Sequence, residues 1–360
     1  MNGKVLRPLV VAAALALTGS SGTPAFADNT ANPYHQIAFI DLPVGSVPLT
    51  SFDISFVERS SQTYYFADRS NKAVDIFDAS SNTFETRVTG FVGFNVDNEH
   101  SGPNGVVVVH DRDELWAGDG DSSVKVIDLR TNTIVKSIST GGTARADEIA
   151  YDQKDKLILI ANDAETVPFA TLIDVQSRTF VARINFPDAT AGLEQPVWDP
   201  ETQLFYMSVP EATTAPGGAV AVIDPRTRMR VGLFPVQNCD PAGLALGPKQ
   251  HLLLGCGDST TPVQVMDART GAKVATIAEV SGADEVWYNP GDKHYYVAAR
   301  NNPTGPVLGV IDAMTDKWIQ NATTGPRAHS VAANPINDEI FVPLRPTPAH
   351  PLGGIGVYHQ

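Results

Sequence analysis

Val220-Ala221-Val222-Ile223-Asp224 is a hydrophobic strand ending on an acid; the turn Pro225-Arg226-Thr227-Arg228 and a further strand follow it. The same grammar recurs at Val74–Asp78 (VDIFD), Val124–Asp128 (VKVID), Thr171–Val175 (TLIDV), Val263–Asp267 (VQVMD) and Leu308–Asp312 (LGVID). The terminal acids Asp78, Asp128, Asp174, Asp224, Asp267 and Asp312 stand 43 to 50 residues apart. A period in that range marks a propeller or another repeat array. An Asp placed before such a turn can bond the turn's backbone amides through its carboxylate. The six acids are therefore read as turn-formers, not as catalytic groups.

Working outward from the acid-ended strand, each unit opens with an inner strand such as Ile149–Tyr151 or Val286–Tyr288. A turn and a second apolar strand come next (Leu157–Ala161; His294–Ala298), and then the acid-ended strand and a fourth. Short β-branched and aromatic runs bounded by Gly, Pro, Asn and Asp are strand signals. Six full units fit residues 52–325. A seventh starts at His329 and ends in Gly354–His359, with no fourth strand after it. The missing strand is available in His35–Leu42, and joining the two termini would close the ring and remove exposed edges. The expected fold is all-β: one seven-bladed β-propeller of four-stranded blades over residues 28–360, with the N-terminal strand completing the C-terminal blade.

Residues 1–27 read as a secretory signal peptide: Lys4 and Arg7, the apolar run Leu9–Leu17, and Ala25-Phe26-Ala27 as the cleavage signal. That run is shorter than the roughly 20 residues needed to cross a bilayer. The expected location is secreted or periplasmic, without membrane insertion. The chain carries a net charge of −14, and loss of a basic leader makes the remainder more acidic still. Such a balance opposes phosphate backbones, so nucleic acid is a poor partner. The two cysteines, Cys239 and Cys256, flank a hairpin; pairing Leu246 with His251 would set Cys256 opposite Pro241, and export permits a disulfide between them. A monomer is expected, and the Pro-rich stretch Pro343–Pro351 reads as a long loop over one face.

The repeated VxVID…(T/R)T…(I/V) pattern resembles the YVTN-type repeat propellers, with the YncE-like exported proteins nearest. The resemblance implies the seven-bladed fold over nearly the whole mature chain. Among similar folds are noncatalytic ligand or partner binders, metal-dependent lactonases and streptogramin lyases, so fold alone does not choose a function.

The residues heading the inner strands are polar and should ring one mouth of the central channel. They include Asp53, Asn104, Asp147 and Glu148, Glu194 and Gln195, Asp240, Asp284 and Glu285, and His329. His100 lies in a loop that can fold over the same mouth, and Arg145 and Arg327 are the bases nearby. Converging carboxylates repel and need protons, basic partners or a cation. Carboxylate oxygens suit Ca²⁺, Mg²⁺ or Mn²⁺. The lactonase resemblance implies a cation held by Glu148, Asn104, Glu194, Asp240 and Glu285. The Pro-His of the streptogramin lyases is matched loosely by Pro326-Arg327-Ala328-His329, with two residues inserted.

The leading expectation is a metal-assisted hydrolase or lyase acting on a small substrate. Glu148, Glu194, Glu285, Asp147, Asp284 and Asp240 would hold the metal, and His329 or His100 would transfer the proton. Asn104, Gln195, Asp53, Arg145 and Arg327 would contact substrate. A noncatalytic secreted ligand- or protein-binding propeller is the alternative, and an accessory subunit of a redox protein a third. No GxSxG elbow, HExxH motif or nucleotide-binding glycine loop occurs in the chain.

Overall fold

A computed structural model of the chain describes residues 33–360; the leader and its cleavage point lie outside the described residues. Seven four-stranded antiparallel sheets follow one another along the chain. In blade 1 they run outward as Ser55–Glu58, Thr63–Asp68, Ala73–Asp78 and Thr83–Thr89. The first strands of blades 2 to 6 are Val106–Val109, Ile149–Asp152, Pro196–Asp199, Pro241–Leu246 and Val286–Asn289. Each touches its neighbour around the ring, and the first strand of blade 7, Ala332–Ala333, touches those of blades 6 and 1. The protein is a closed seven-bladed β-propeller.

Blade 7 is built from both ends of the described chain. Its outermost strand is His35–Asp41, paired antiparallel with Gly354–His359 from His35↔His359 to Asp41↔Gly354, with a bulge between Gln36 and Ala38. This pairing is the closure expected from the sequence. It brings Ile40 and Leu42 into a core shared with Phe52, Val57, Tyr64 and Phe66 of blade 1. Tyr64 stacks on Phe341 at 5.0 Å across that seam.

The strand pattern follows from where each strand sits. Second and third strands are covered on both faces by neighbouring blades, so Ala219–Asp224 is buried for its first five residues. Fourth strands face solvent on one side and alternate, as Thr83–Thr89 does. Each buried Leu, Ile or Phe in these seams contributes about 1.5–3 kcal/mol. One seam joins Leu159 and Leu172 of blade 3 to Phe205 and Met207 of blade 4, all fully buried.

The six terminal acids do build the turns. Asp78 accepts from the amides of Ser80 and Ser81, Asp128 from Arg130, and Asp174 from Ser177. Asp224 accepts from Arg226, Asp267 from Arg269 and Thr270, and Asp312 from Met314 and Thr315. Four residues beyond each acid the backbone takes a positive φ, carried by Asn82, Asn132, Arg178, Arg228, Gly271 and Asp316. The carboxylate cap and the left-handed residue together reverse the chain.

Two local expectations need correction. The observed register is Leu246↔Leu252, not Leu246 with His251; a bulge before Leu244 then restores Pro241↔Cys256. Cys239 and Cys256 are joined as a disulfide across that bulge. Pro343, expected in a loop running to Pro351, instead lies inside the strand Ile340–Leu344 opposite Ile355. It is tolerated because Ala332–Ala333 pairs only with Phe341 and Ile340, so Pro343 lies past the end of the inner strand, where no ladder needs its missing N–H.

Deleting His35–Leu42 exposes the edge of Gly354–His359. The expected result is self-association and rapid amide exchange in that strand, read by size-exclusion chromatography and hydrogen exchange. A monomer with protected amides there would show that closure does not hold the ring.

Candidate functional site

Antiparallel hairpins put the head of each inner strand beside the end of the second strand. The amide of Asp53 donates to the carbonyl of Ala67 at 2.9 Å, Asp147 to Ala161 at 2.8 Å, Glu194 to Ser208 at 3.0 Å and Asp284 to Ala298 at 3.0 Å. Two residues beyond those carbonyls stand Arg69, Asp163, Pro210 and Arg300. One mouth of the channel is thus furnished from two sets of positions, the strand heads and the residues that end the first hairpin.

The heads converge on a cavity of about 160 Å³. Its acids are Asp53, Asp147, Glu148, Glu194, Asp284 and Glu285; its bases are Arg69, Arg145, Arg300, Arg327, Arg345 and His329. The sequence reading found the acids and only two of the arginines. Arg69, Arg300 and Arg345 were missed, and they share one signal: each follows the last residue of a second strand (Asp68, Ala299, Leu344). They belong to blades 1, 6 and 7, which are consecutive around the ring.

Guanidinium groups take up several of the carboxylates. Arg69 bonds Asp53 and also donates to the Asn104 amide oxygen at 2.7 Å, while Asn104 donates to the carbonyl of Ala146 at 2.7 Å. Arg145 bridges Asp147 at 2.8 Å and Asp163 at 2.7 Å. Arg300 meets Asp284 at 2.5 Å. Among the described residues no three His, Cys, Asp or Glu side chains come together in a geometry that would hold a metal ion. Arg69, Arg145 and Arg300 thus pair with Asp53, Asp147 and Asp284.

The remaining acids sit close together in a low-dielectric space. Burial pushes Glu148 well above the usual glutamate range, and repulsion from Glu285 and Glu194 adds to it. Glu285 is raised likewise by burial and by Asp284, although a hydrogen bond from Glu148 opposes the rise. Burial, then Asp284 and Asp163, push Glu194 up to about 8. Asp147 is raised by burial in spite of Arg145. Asp53 goes the other way: burial pulls it up, but Arg69 and the hydrogen bond from His329 outweigh that and hold it at about 2. The mouth therefore combines arginines, a few ion-paired carboxylates and several carboxyl groups that hold their protons more tightly than free acids do.

The other sequence candidates are placed as follows. His329 stacks on Phe52 at 4.5 Å; its Nδ1 lies 2.7 Å from the carbonyl of Arg327 and its Nε2 3.2 Å from that of Phe52. The same Nε2 lies 3.7 Å from Asp53 Oδ1, so the ring faces two backbone oxygens and the Asp53 carboxylate and links blade 7 to blade 1. Asn104 is fully buried and supports Arg69 from behind the cavity wall. Gln195 accepts from the amide of Leu244 at 2.6 Å and lines the opposite end of the channel. His100 is exposed, paired with Asp97 at 2.9 Å, and does not line the cavity. Asp240 lies apart as well; its carboxyl is raised by burial and by the nearby Glu211 and Asp258.

No family model matches the chain, and no curated protein matches it. Among solved structures it is similar to a chain of Kuenenia stuttgartiensis hydrazine synthase, at TM-score 0.71 and 14% identity over 87% of this chain and 96% of that one. It is also similar to a chain of a mitotic checkpoint complex, at TM-score 0.69 and 14% identity over 99% of each. At that identity the likeness is one of fold.

The protonated carboxyls have a measurable consequence. An acid whose native pKa is raised binds its proton more tightly when folded, so it stabilises the fold below its unfolded pKa, and that stability is lost as pH rises through the native value. For Glu194 the window runs from 4.5 to about 8. Thermal stability should fall across that window, and Glu194→Gln should flatten the fall. A melting temperature that is level or rises there in the native chain would contradict this assignment.

Proposed function

We propose that this is an exported propeller that binds a small organic anion at the arginine-bearing mouth of its channel. One observation carries the reading. Arg327 and Arg345 stand close enough that, after burial, the charge of Arg327 is what depresses the pKa of Arg345. Neither forms an ion pair with an acid among the described residues, and the Nε of Arg345 is buried with no hydrogen-bond partner. Two like charges side by side beside an unused buried donor suit a carboxylate or phosphate oxygen, which guanidinium groups bind in charge-assisted, often bidentate fashion. The carboxyl of Glu194, pushed up to about 8, can donate to one of the ligand's other oxygens. Export is supported by the leader-like residues 1–27 and by the Cys239–Cys256 disulfide.

The metal-assisted hydrolase or lyase differs from this reading in what it needs from the glutamates. It requires Glu148, Glu194 and Glu285 to be ionised around a cation, whereas anion binding requires them protonated. Citrate, malonate and inorganic phosphate, added singly to the native protein, should raise the melting temperature saturably for at least one of the three. The double variant R327A/R345A should weaken that response by about tenfold or more, equivalent to about 1.4 kcal/mol. Absence of any response, or an equal response in the double variant, would overturn the proposal. A saturable response to Ca²⁺, Mg²⁺ or Mn²⁺ that vanishes in Glu148→Gln and Glu285→Gln would favour the metal reading instead.

A further inference from the structure

The opposite end of the channel has a different chemistry and is not used by the anion site. There the bodies of the inner strands enclose a cavity of about 360 Å³, lined from six of the seven blades. Its walls carry Phe56, Tyr151, Trp198, Trp287 and Tyr288 among valines, alanines and leucines. Trp198, Trp287, Tyr288 and Phe56 are only half-buried, so part of each ring faces the cavity and not the blade seams. Phe56 of blade 1 and Trp287 of blade 6 meet edge to face at 5.5 Å. They reach each other because blade 7, which lies between them, offers an inner strand of only two alanines, Ala332–Ala333.

A second, independent observation sits at the floor. Glu148 lines both this cavity and the arginine-bearing one. It is 5% exposed, and its Oε2 is buried with no hydrogen-bond partner. An unmade hydrogen bond on a buried polar atom costs about 1–3 kcal/mol, which a ligand able to complete it would recover. Apolar pockets of this size with few polar groups are the usual form of a small-molecule site. Ring faces left in water gain about 25 cal/mol for each Å² that a ligand covers.

From the aromatic wall and the unpartnered carboxyl oxygen together, we infer that this end of the channel is a binding site for a neutral, flat, ring-bearing small molecule with one hydroxyl group, its rings against Trp198 and Trp287 and its hydroxyl donating to Glu148. The site meets the anion site only at Glu148, which lines both cavities, and uses none of its arginines. With the Glu148 proton given to Glu285, its unpartnered Oε2 is left to accept from the ligand's hydroxyl.

Two probes of equal ring size test this: 1-naphthol, which carries the hydroxyl, and naphthalene, which does not. Tryptophan emission reports binding, since Trp198 and Trp287 line the cavity while Trp116 is fully buried. The native protein should bind 1-naphthol saturably and about tenfold more tightly than naphthalene. Glu148→Leu should abolish that preference while naphthalene still binds. Trp198→Ala should weaken both probes, and R327A/R345A should change neither. The inference fails if native protein shows no saturable binding of 1-naphthol. It fails equally if 1-naphthol and naphthalene bind alike, if Trp198→Ala leaves both unaffected, or if the arginine variant removes binding. The two measurements on the native protein decide the matter even if a variant does not fold.

Discussion

The pairing of His35–Asp41 with Gly354–His359 is the constraint on which the rest depends. A propeller blade is stable only when covered on both faces, and an open array of seven would leave the face of blade 1 and the face of blade 7 in water. Drawing the outermost strand of blade 7 from the opposite end of the chain makes that blade whole. The seam between blades 7 and 1, with Tyr64 on Phe341 and Phe52 on His329, then encloses a buried hydrophobic cluster of its own. Every convergence at the channel follows, because the inner strands point at a common axis only in a closed ring.

Closure also creates an electrostatic difficulty. Bringing Asp53, Asp147, Glu148, Glu194, Asp284 and Glu285 to one mouth would place several negative charges in a space of about 160 Å³. Two devices relieve it: guanidinium groups on Asp53, Asp147 and Asp284, and retained protons on the glutamates. Burying an ion pair yields little net stability, since desolvation offsets much of the attraction. What the network yields is definition: Arg69 and Arg145 are each fixed by more than one partner, leaving Arg327 and Arg345 as the arginines of this mouth with no acid partner among the described residues.

The repeat was plain in the sequence because its signals are local. An acid that caps a turn four residues before a left-handed position can be recognised in any one unit, and six units in register give the period. The acids at the channel were visible for a related reason, since each heads an inner strand that a turn locates. The arginines were not, because Arg69, Arg300 and Arg345 lie at the far end of the next strand, about fifteen residues later, and only the antiparallel hairpin returns them to the same mouth. Strand lengths decided the other misses. Pro343 reads as a loop residue until the two-residue inner strand of blade 7 shows that no ladder crosses it.

The near-sevenfold backbone carries side chains that are not symmetric at all. Arg300, Arg345 and Arg69 occupy the sector of blades 6, 7 and 1, while Asp147, Glu148, Asp163 and Glu194 occupy that of blades 3 and 4. At the cavity, arginines outnumber acids in the sector of blades 6, 7 and 1 and acids outnumber arginines in that of blades 3 and 4, which imposes a transverse polarity; the change from charged mouth to aromatic mouth imposes an axial one. Two unequal, perpendicular directions leave a solute no equivalent rotated pose. A pore of this kind fixes both the rotation of a solute about the channel axis and the end it presents to each mouth, whereas a symmetric ring of identical blades would leave seven rotations equivalent.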